Sequence, residues 1–194
     1  MALRPASSPL FRRSIASLER GFARASTVAG DSVIDVFLQP GEYFVGDSGY
    51  RLRTLLGSCV SITLWHPRRR IGAMSHFLLA SRPRGADARL DGRYGEEVVE
   101  LMLQELARQR VPVGECEAKL FGGGNMFPAC LRAAYGPDIG RRNGEAAREM
   151  LCRRGIVVRA EHLFGNGHRQ VIFTINNGDV WVRQIAPMAY PRLA

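Results

Sequence analysis

The sequence predicts an α+β domain, and three observations carry that prediction. Short apolar runs bounded by Gly and Pro recur from residue 33 onward, as strands require. Only two segments of that region, 94–108 and 143–153, read as helices. Strands and helices do not alternate as a regular βαβ fold would need.

The first strands are 33–38, 43–45 and 52–56, the last leading into Leu56-Gly57-Ser58-Cys59-Val60. A β-hairpin follows, folded about Pro67 and Arg68. If His66 to Arg69 forms a four-residue turn with Pro67 at its favoured second position, Cys59 faces His76, 17 residues later. Alternation then puts Val60, Ile62 and Leu64 on one apolar face, meeting Ser75, Ala73 and Ile71. Cys59, Ser61 and Thr63 share the other face with Met74 and His76. Helix 94–108 sets Val98, Leu101, Met102 and Leu106 against a polar side of Glu97, Glu100 and Gln104, so it packs on a sheet. Strand 117–121 runs into Gly122-Gly123-Gly124-Asn125. Helix 143–153 ends with Gly155 as its C-cap. Strands 156–159, 170–175 and 180–185 complete the set, the last two joined by the turn Asn176-Asn177-Gly178-Asp179.

With 194 residues and 46% hydrophobic composition, the chain holds one domain with a full core. Residues 1–32 form a basic N-terminal extension, 33–188 the domain and 189–194 a tail. The extension carries Arg4, Arg12, Arg13, Arg20 and Arg24 against Glu19 and Asp31, and Phe11, Ile15, Leu18 and Phe22 recur at helical spacing. It reads as a disordered extension or a short amphipathic helix, and its arginine-rich composition also suits an organellar presequence.

No apolar run approaches the roughly 20 residues that span a bilayer, so the expected protein is not integral to a membrane. Cys59, Cys116, Cys130 and Cys152 show neither zinc-ligand spacing nor a disulfide framework, which fits a reducing compartment and no metal. Net charge is +9, and Lys119 is the single lysine among 27 basic residues. No aromatic-interleaved basic motif accompanies that charge, so nucleic acid is not the expected partner.

Cys59 stands out among the four thiols because Gly57 and Ser58 precede it. Gly57 permits close backbone approach, and adjacent N–H groups can hold an oxyanion. A thiol facing His76 would be activated by a neighbour that lowers its pKa. Cys116, Cys130 and Cys152 read as inert packing. Thr54 could orient an imidazole as the third member of a triad, although a β-branched residue is also ordinary strand filler. His66 falls in the predicted turn and is expected to be solvated. His162 and His168 flank a glycine-containing loop that could line the far side of a cleft. Gly122 to Asn125 lacks the Gly-Lys-Ser/Thr ending of a phosphate loop and reads as a tight wall beside the cleft. Asp138 to Asn143 enters a helix whose N–H groups suit either a carboxamide or ordinary capping.

Leu56-Gly57-Ser58-Cys59-Val60, Ile71-Gly72-Ala73-Met74-Ser75-His76-Phe77-Leu78-Leu79, Arg93-Tyr94, Lys119-Leu120-Phe121-Gly122-Gly123-Gly124-Asn125-Met126-Phe127 and Ile139-Gly140-Arg141-Arg142-Asn143 together resemble the CheD family of chemoreceptor glutamine deamidases. The resemblance covers about residues 34–185. It implies an α/β sandwich with mixed, largely antiparallel sheets and two main helices, similar to cytotoxic-necrotizing-factor-type deamidase domains. It implies hydrolysis of glutamine side chains on methyl-accepting chemotaxis receptors, a cytoplasmic bacterial protein recruited to receptor arrays, and binding to a CheC-type phosphatase. No cofactor is implied. The family's catalytic cysteine and histidine fall on Cys59 and His76. Its threonine falls in the stretch before Leu56-Gly57-Ser58-Cys59, where Thr54 is the threonine available, although the offset from cysteine varies among members and could instead place Arg53 at that position. Gly57, Ser58 and Asn125 are the expected oxyanion or substrate contacts. The alternative reading is a CheD-like module that binds receptors or the phosphatase with little catalysis; a thiol protease or transglutaminase is a further one.

Overall fold

The computed structural model describes residues 33–83, 89–126 and 139–185. The predicted segments 1–32 and 189–194, together with Cys130, Phe127 and Asp138, lie outside them. Among the described residues nine strands form two sheets. Sheet A contains β1 (Ile34–Phe37), β3 (Tyr50–Leu56), β8 (His168–Thr174) and β9 (Asp179–Ile185), in that order. Sheet B runs β2 (Tyr43–Gly46), β5 (Ile71–Ser75), β4 (Val60–His66), β6 (Glu117–Gly122), β7 (Val157–Leu163). The pairs β1–β3 and β6–β7 are parallel and the others antiparallel. Helices α1 (Gly95–Arg108) and α2 (Ile139–Cys152) pack on sheet B.

The layers follow from side-chain alternation. Strand β2 sends Phe44 into the core between the sheets and Val45 into the core beneath the helices. Strand β4 does the same along its length, so six of its seven residues are buried. Leu52, Leu56, Met74, Phe121, Val171 and Phe173 fill the space between sheets. Val60, Ile62, Leu64, Leu120, Val98, Met102 and Met150 fill the helical side. Burying each such side chain contributes about 1.5–3 kcal/mol.

The hairpin corrects the predicted register. Its loop is Pro67 to Arg70, closed by Arg70 N–H donating to the His66 carbonyl at 2.9 Å, with Arg70 in the left-handed region at φ 50°. Two extra loop residues, Arg69 and Arg70, move the centre along the chain. Thr63 pairs with Met74, Leu64 with Ala73 and His66 with Ile71, each two positions from the predicted partner. A two-residue slip preserves the faces, whereas a one-residue slip would have inverted them. Met74 and Thr63 therefore still lie away from the helices.

Two other expectations change. His66 ends β4 buried rather than solvated, with Nε2 3.4 Å from Glu115 and Nδ1 accepting from the Arg69 amide. Glu97 lies on the buried side of α1, where it pairs with Arg82 at 2.8 Å and accepts from the Asp91 amide at 2.7 Å. The predicted Asn-Asn-Gly turn joins β8 to β9, and Gly178 at φ 77° sits against Trp65, where a methyl group would meet the ring at 2.5 Å. Trp65 Nε1 donates to the Ile175 carbonyl at 2.8 Å, which ties this turn of sheet A to sheet B.

Candidate active site

Thr54 and His76 meet between the sheets. Thr54 belongs to β3 and His76 follows β5, and both are almost fully buried. Thr54 Oγ1 donates to the Leu38 carbonyl at 2.8 Å, and His76 Nδ1 lies 2.8 Å from Thr54 Oγ1. The Leu38 carbonyl is also 3.4 Å from Nδ1. A hydroxyl has one hydrogen, and a carbonyl has none. With that hydrogen given to Leu38, Nδ1 must carry the ring proton and donate it to Thr54. Nε2 is left with its lone pair, buried and without a partner among the described residues. Burial holds the His76 pKa below the usual imidazole value, partly opposed by the Leu38 carbonyl. The ring is neutral at neutral pH.

Cys59 packs against the same inter-sheet core and is half-buried. Val60 pairs with Phe77, each donating to the other's carbonyl at 3.1 and 3.0 Å. Cys59 and His76 thus stand on either side of that pair, diagonal neighbours on one face rather than the facing pair that the sequence predicts. Diagonal partners lie roughly 7–8 Å apart at Cα, within reach of long side chains. Burial also pushes the Cys59 thiol up, against the expected lowering by a neighbour, and its own backbone N–H partly opposes the shift. The resting pair is a thiol and a neutral imidazole.

The carbonyls of the Cys59 segment are all held by hydrogen bonds. Gly57 O accepts from the Gly124 amide and Cys59 O from the Gly123 amide, both at 2.8 Å. Ser58 O accepts from Asn143 Nδ2 at 3.1 Å. In a trans peptide the N–H points opposite to the C=O, so the Ser58 amide is aimed away from Gly124 and the Cys59 amide away from Asn143. The glycine run does form a wall against this segment: at Gly122, φ 112°, a methyl group would fall 2.2 Å from the Cys59 carbonyl oxygen. Asn125 locks the wall to the next loop, its amide donating to Gly165 O at 2.7 Å and its carbonyl accepting from the Gly167 amide at 3.0 Å.

Two buried residues add to the predicted set. Asn143 on α2 also donates to the Leu78 carbonyl at 2.7 Å, so one carboxamide clamps the segments after β3 and β5 together. The helix begins at Ile139, four residues before the predicted start, which places Asn143 inside it rather than at its cap. Arg169, paired with Leu56 across β8 and β3, is fully buried and donates to His162 Nδ1 at 2.8 Å, fixing that imidazole behind the wall. No sequence pattern marks either role. Of the other thiols, Cys116 is buried and pushed up to about 11, as inert packing implies, whereas Cys152 is exposed at the end of α2.

The family described as CheD chemotactic sensory transduction matches residues 78–184, beginning just after His76. A protein of Albidiferax ferrireducens named probable chemoreceptor glutamine deamidase CheD 2 is 58% identical over 80% of this chain and 90% of its own. One from Dechloromonas aromatica, named probable chemoreceptor glutamine deamidase CheD 3, is 47% identical over 80% of this chain and 91% of its own. A third, from Chromobacterium violaceum and named probable chemoreceptor glutamine deamidase CheD 1, is 45% identical over 77% of each. With relatives so similar over most of its length, this chain belongs to the CheD family.

Proposed function

We propose that this protein hydrolyses the side-chain carboxamide of selected glutamines on methyl-accepting chemotaxis receptors to glutamate, releasing ammonia. The supporting observation is the Thr54–His76–Leu38 arrangement, which leaves His76 Nε2 as a buried, unprotonated base in the same layer as Cys59. The relatives' names supply the substrate class.

In this mechanism Nε2 takes the Cys59 proton as sulfur attacks the carboxamide carbon. The Ser58 and Cys59 amides, aimed away from their pinned carbonyls, hold the oxyanion. His76 then returns the proton to the departing nitrogen, the C–N bond breaks, and ammonia leaves a thioester. Water attacks that thioester with His76 as base, the C–S bond breaks, and glutamate leaves with the thiol restored. Thr54 keeps the imidazole in the required tautomer throughout, so Thr54, not Arg53, is the third member.

The test is mass spectrometry of purified receptor fragments incubated with wild-type protein and with Cys59→Ala. Glutamine-to-glutamate conversion is expected with wild type and a fall of at least about 10³-fold with the variant, the scale of losing a nucleophile. Identical spectra from both proteins would sink the catalytic reading.

A further inference from the structure

Helices cover sheet B alone, and the outward face of sheet A has no covering element among the described residues. Because Leu52, Thr54, Leu56, Val171 and Phe173 point inward, their neighbours point out. Phe37, Arg53, Ile172 and Trp181 stand in one row across all four strands. Leu55, Gln170 and Arg183 form the next, and Ile185 follows beyond it. Phe37, Leu55 and Trp181 are each about half exposed, at 48%, 48% and 51%. Contiguous apolar surface of this kind marks an interaction site.

Its charges indicate what it takes. Arg51, at the far end, is already paired with Asp35 at 2.6 Å. Arg53 and Arg183, set among the apolar side chains, form no salt bridge among the described residues, Arg53 acting on Asp35 only through space, and Arg53 Nε is buried without an acceptor. A partner bearing carboxylates beside apolar groups would satisfy both features. The arginine-rich segment 1–32 would not, and a second copy stacked face to face would bring arginines against arginines. Four strands at about 4.8 Å spacing give a width of about 14 Å, enough for one helix of about 10–12 Å. The patch also ends at Leu55, one residue before the Leu56-Gly57-Ser58-Cys59 run.

We infer that this face of sheet A is where the protein substrate docks, through an acidic amphipathic helix that lies across the Phe37–Trp181 row and leads its target glutamine toward Cys59. The inference deepens the proposed deamidase reading and rests on it. The full-length double variant Trp181→Ser/Arg183→Glu alters only outward-facing side chains. It should raise KM for an intact receptor cytoplasmic fragment about tenfold or more, with kcat unchanged and kinetics on a short glutamine peptide unchanged. An unchanged KM, or an equal loss on the peptide, overturns the docking surface. If wild type deamidates neither substrate, the deamidase reading fails on its own, and co-sedimentation with the same fragment still decides the docking. There, about tenfold weaker binding of the variant supports it and equal binding overturns it. A wild-type dimer that the variant dissociates in sedimentation velocity would assign the face to a second copy and likewise overturn it.

Discussion

The two cores of this protein differ in how far the polar groups they bury are bonded. The layer between sheet B and the helices is filled by Val, Ile, Leu, Ala, Met and Phe, with one buried thiol, Cys116, and the polar groups buried on that side, His66, Ser75, Glu97 and Asn143, are all bonded. The layer between the sheets holds Leu, Phe and Val of similar size, and it also takes in Thr54, His76 and the half-buried Cys59. Polar groups without water cost stability unless they are bonded, and His76 Nε2 and Ser61 Oγ are buried with no partner among the described residues. The comparison teaches a division of labour. The helical side bonds the polar groups it buries, and the inter-sheet layer gives up part of that satisfaction around Thr54, His76 and Cys59.

Matched truncations break or support that division most directly. Leu120→Ala, beneath the helices, and Leu56→Ala, between the sheets, should each cost about 2–5 kcal/mol of unfolding free energy in urea titrations. Only Leu56→Ala should also lower kcat/KM of the folded protein, because Leu56 anchors the segment that presents Cys59. Equal effects on kcat/KM would mean that the two layers do not differ in function. Asn143→Ala sharpens the boundary between them, since Asn143 reaches from α2 to the Ser58 and Leu78 carbonyls. Losing both bonds should cost about 1–3 kcal/mol, with kcat falling while KM changes little. A stability loss with kcat intact would reduce Asn143 to a packing role.

The sequence carries the faces of these layers more clearly than their alignment. Alternation in β4 and β5 separates Val60, Ile62 and Leu64 from Cys59, Ser61 and Thr63 because a buried face must be continuous. Register depends on one turn residue, Arg70, entering the left-handed region, which no hydrophobic pattern records. Thr54 is legible as a candidate from its place before Cys59, but its tautomer-fixing role needs the Leu38 carbonyl, brought alongside by the parallel pairing of β1 and β3. Asn143 reads as a cap because its acceptors lie 85 and 65 residues away in the chain. Strand β7 extends to Leu163, past the predicted end at 159, because most of it is exposed and lacks the apolar alternation that announces a strand.

The finest test of the inter-sheet layer is its pH dependence. Burial lowers the His76 pKa and raises that of Cys59. The acid limb of kcat/KM, which follows loss of the neutral imidazole, should therefore lie below the ordinary histidine value of about 6.5. Stability follows by linkage. An unfolded chain protonates its histidine first as pH falls below about 6.5, so the neutral buried ring is a stabilising asset above that pH and a growing liability below it. An unfolded chain ionises its cysteine first as pH rises past about 8.5, so the buried thiol contributes below that pH and loses its contribution above it. Thr54→Val separates orientation from proton affinity, because Thr54 fixes the ring while burial and the Leu38 carbonyl set its pKa. The variant should lose about tenfold to a hundredfold in kcat, a step of the size set by a misdirected base, with the acid limb unmoved. A limb displaced downward by a full unit would show that Thr54 acts on the affinity of the imidazole for its proton, and the hydroxyl would then be a source of the base's strength rather than of its aim.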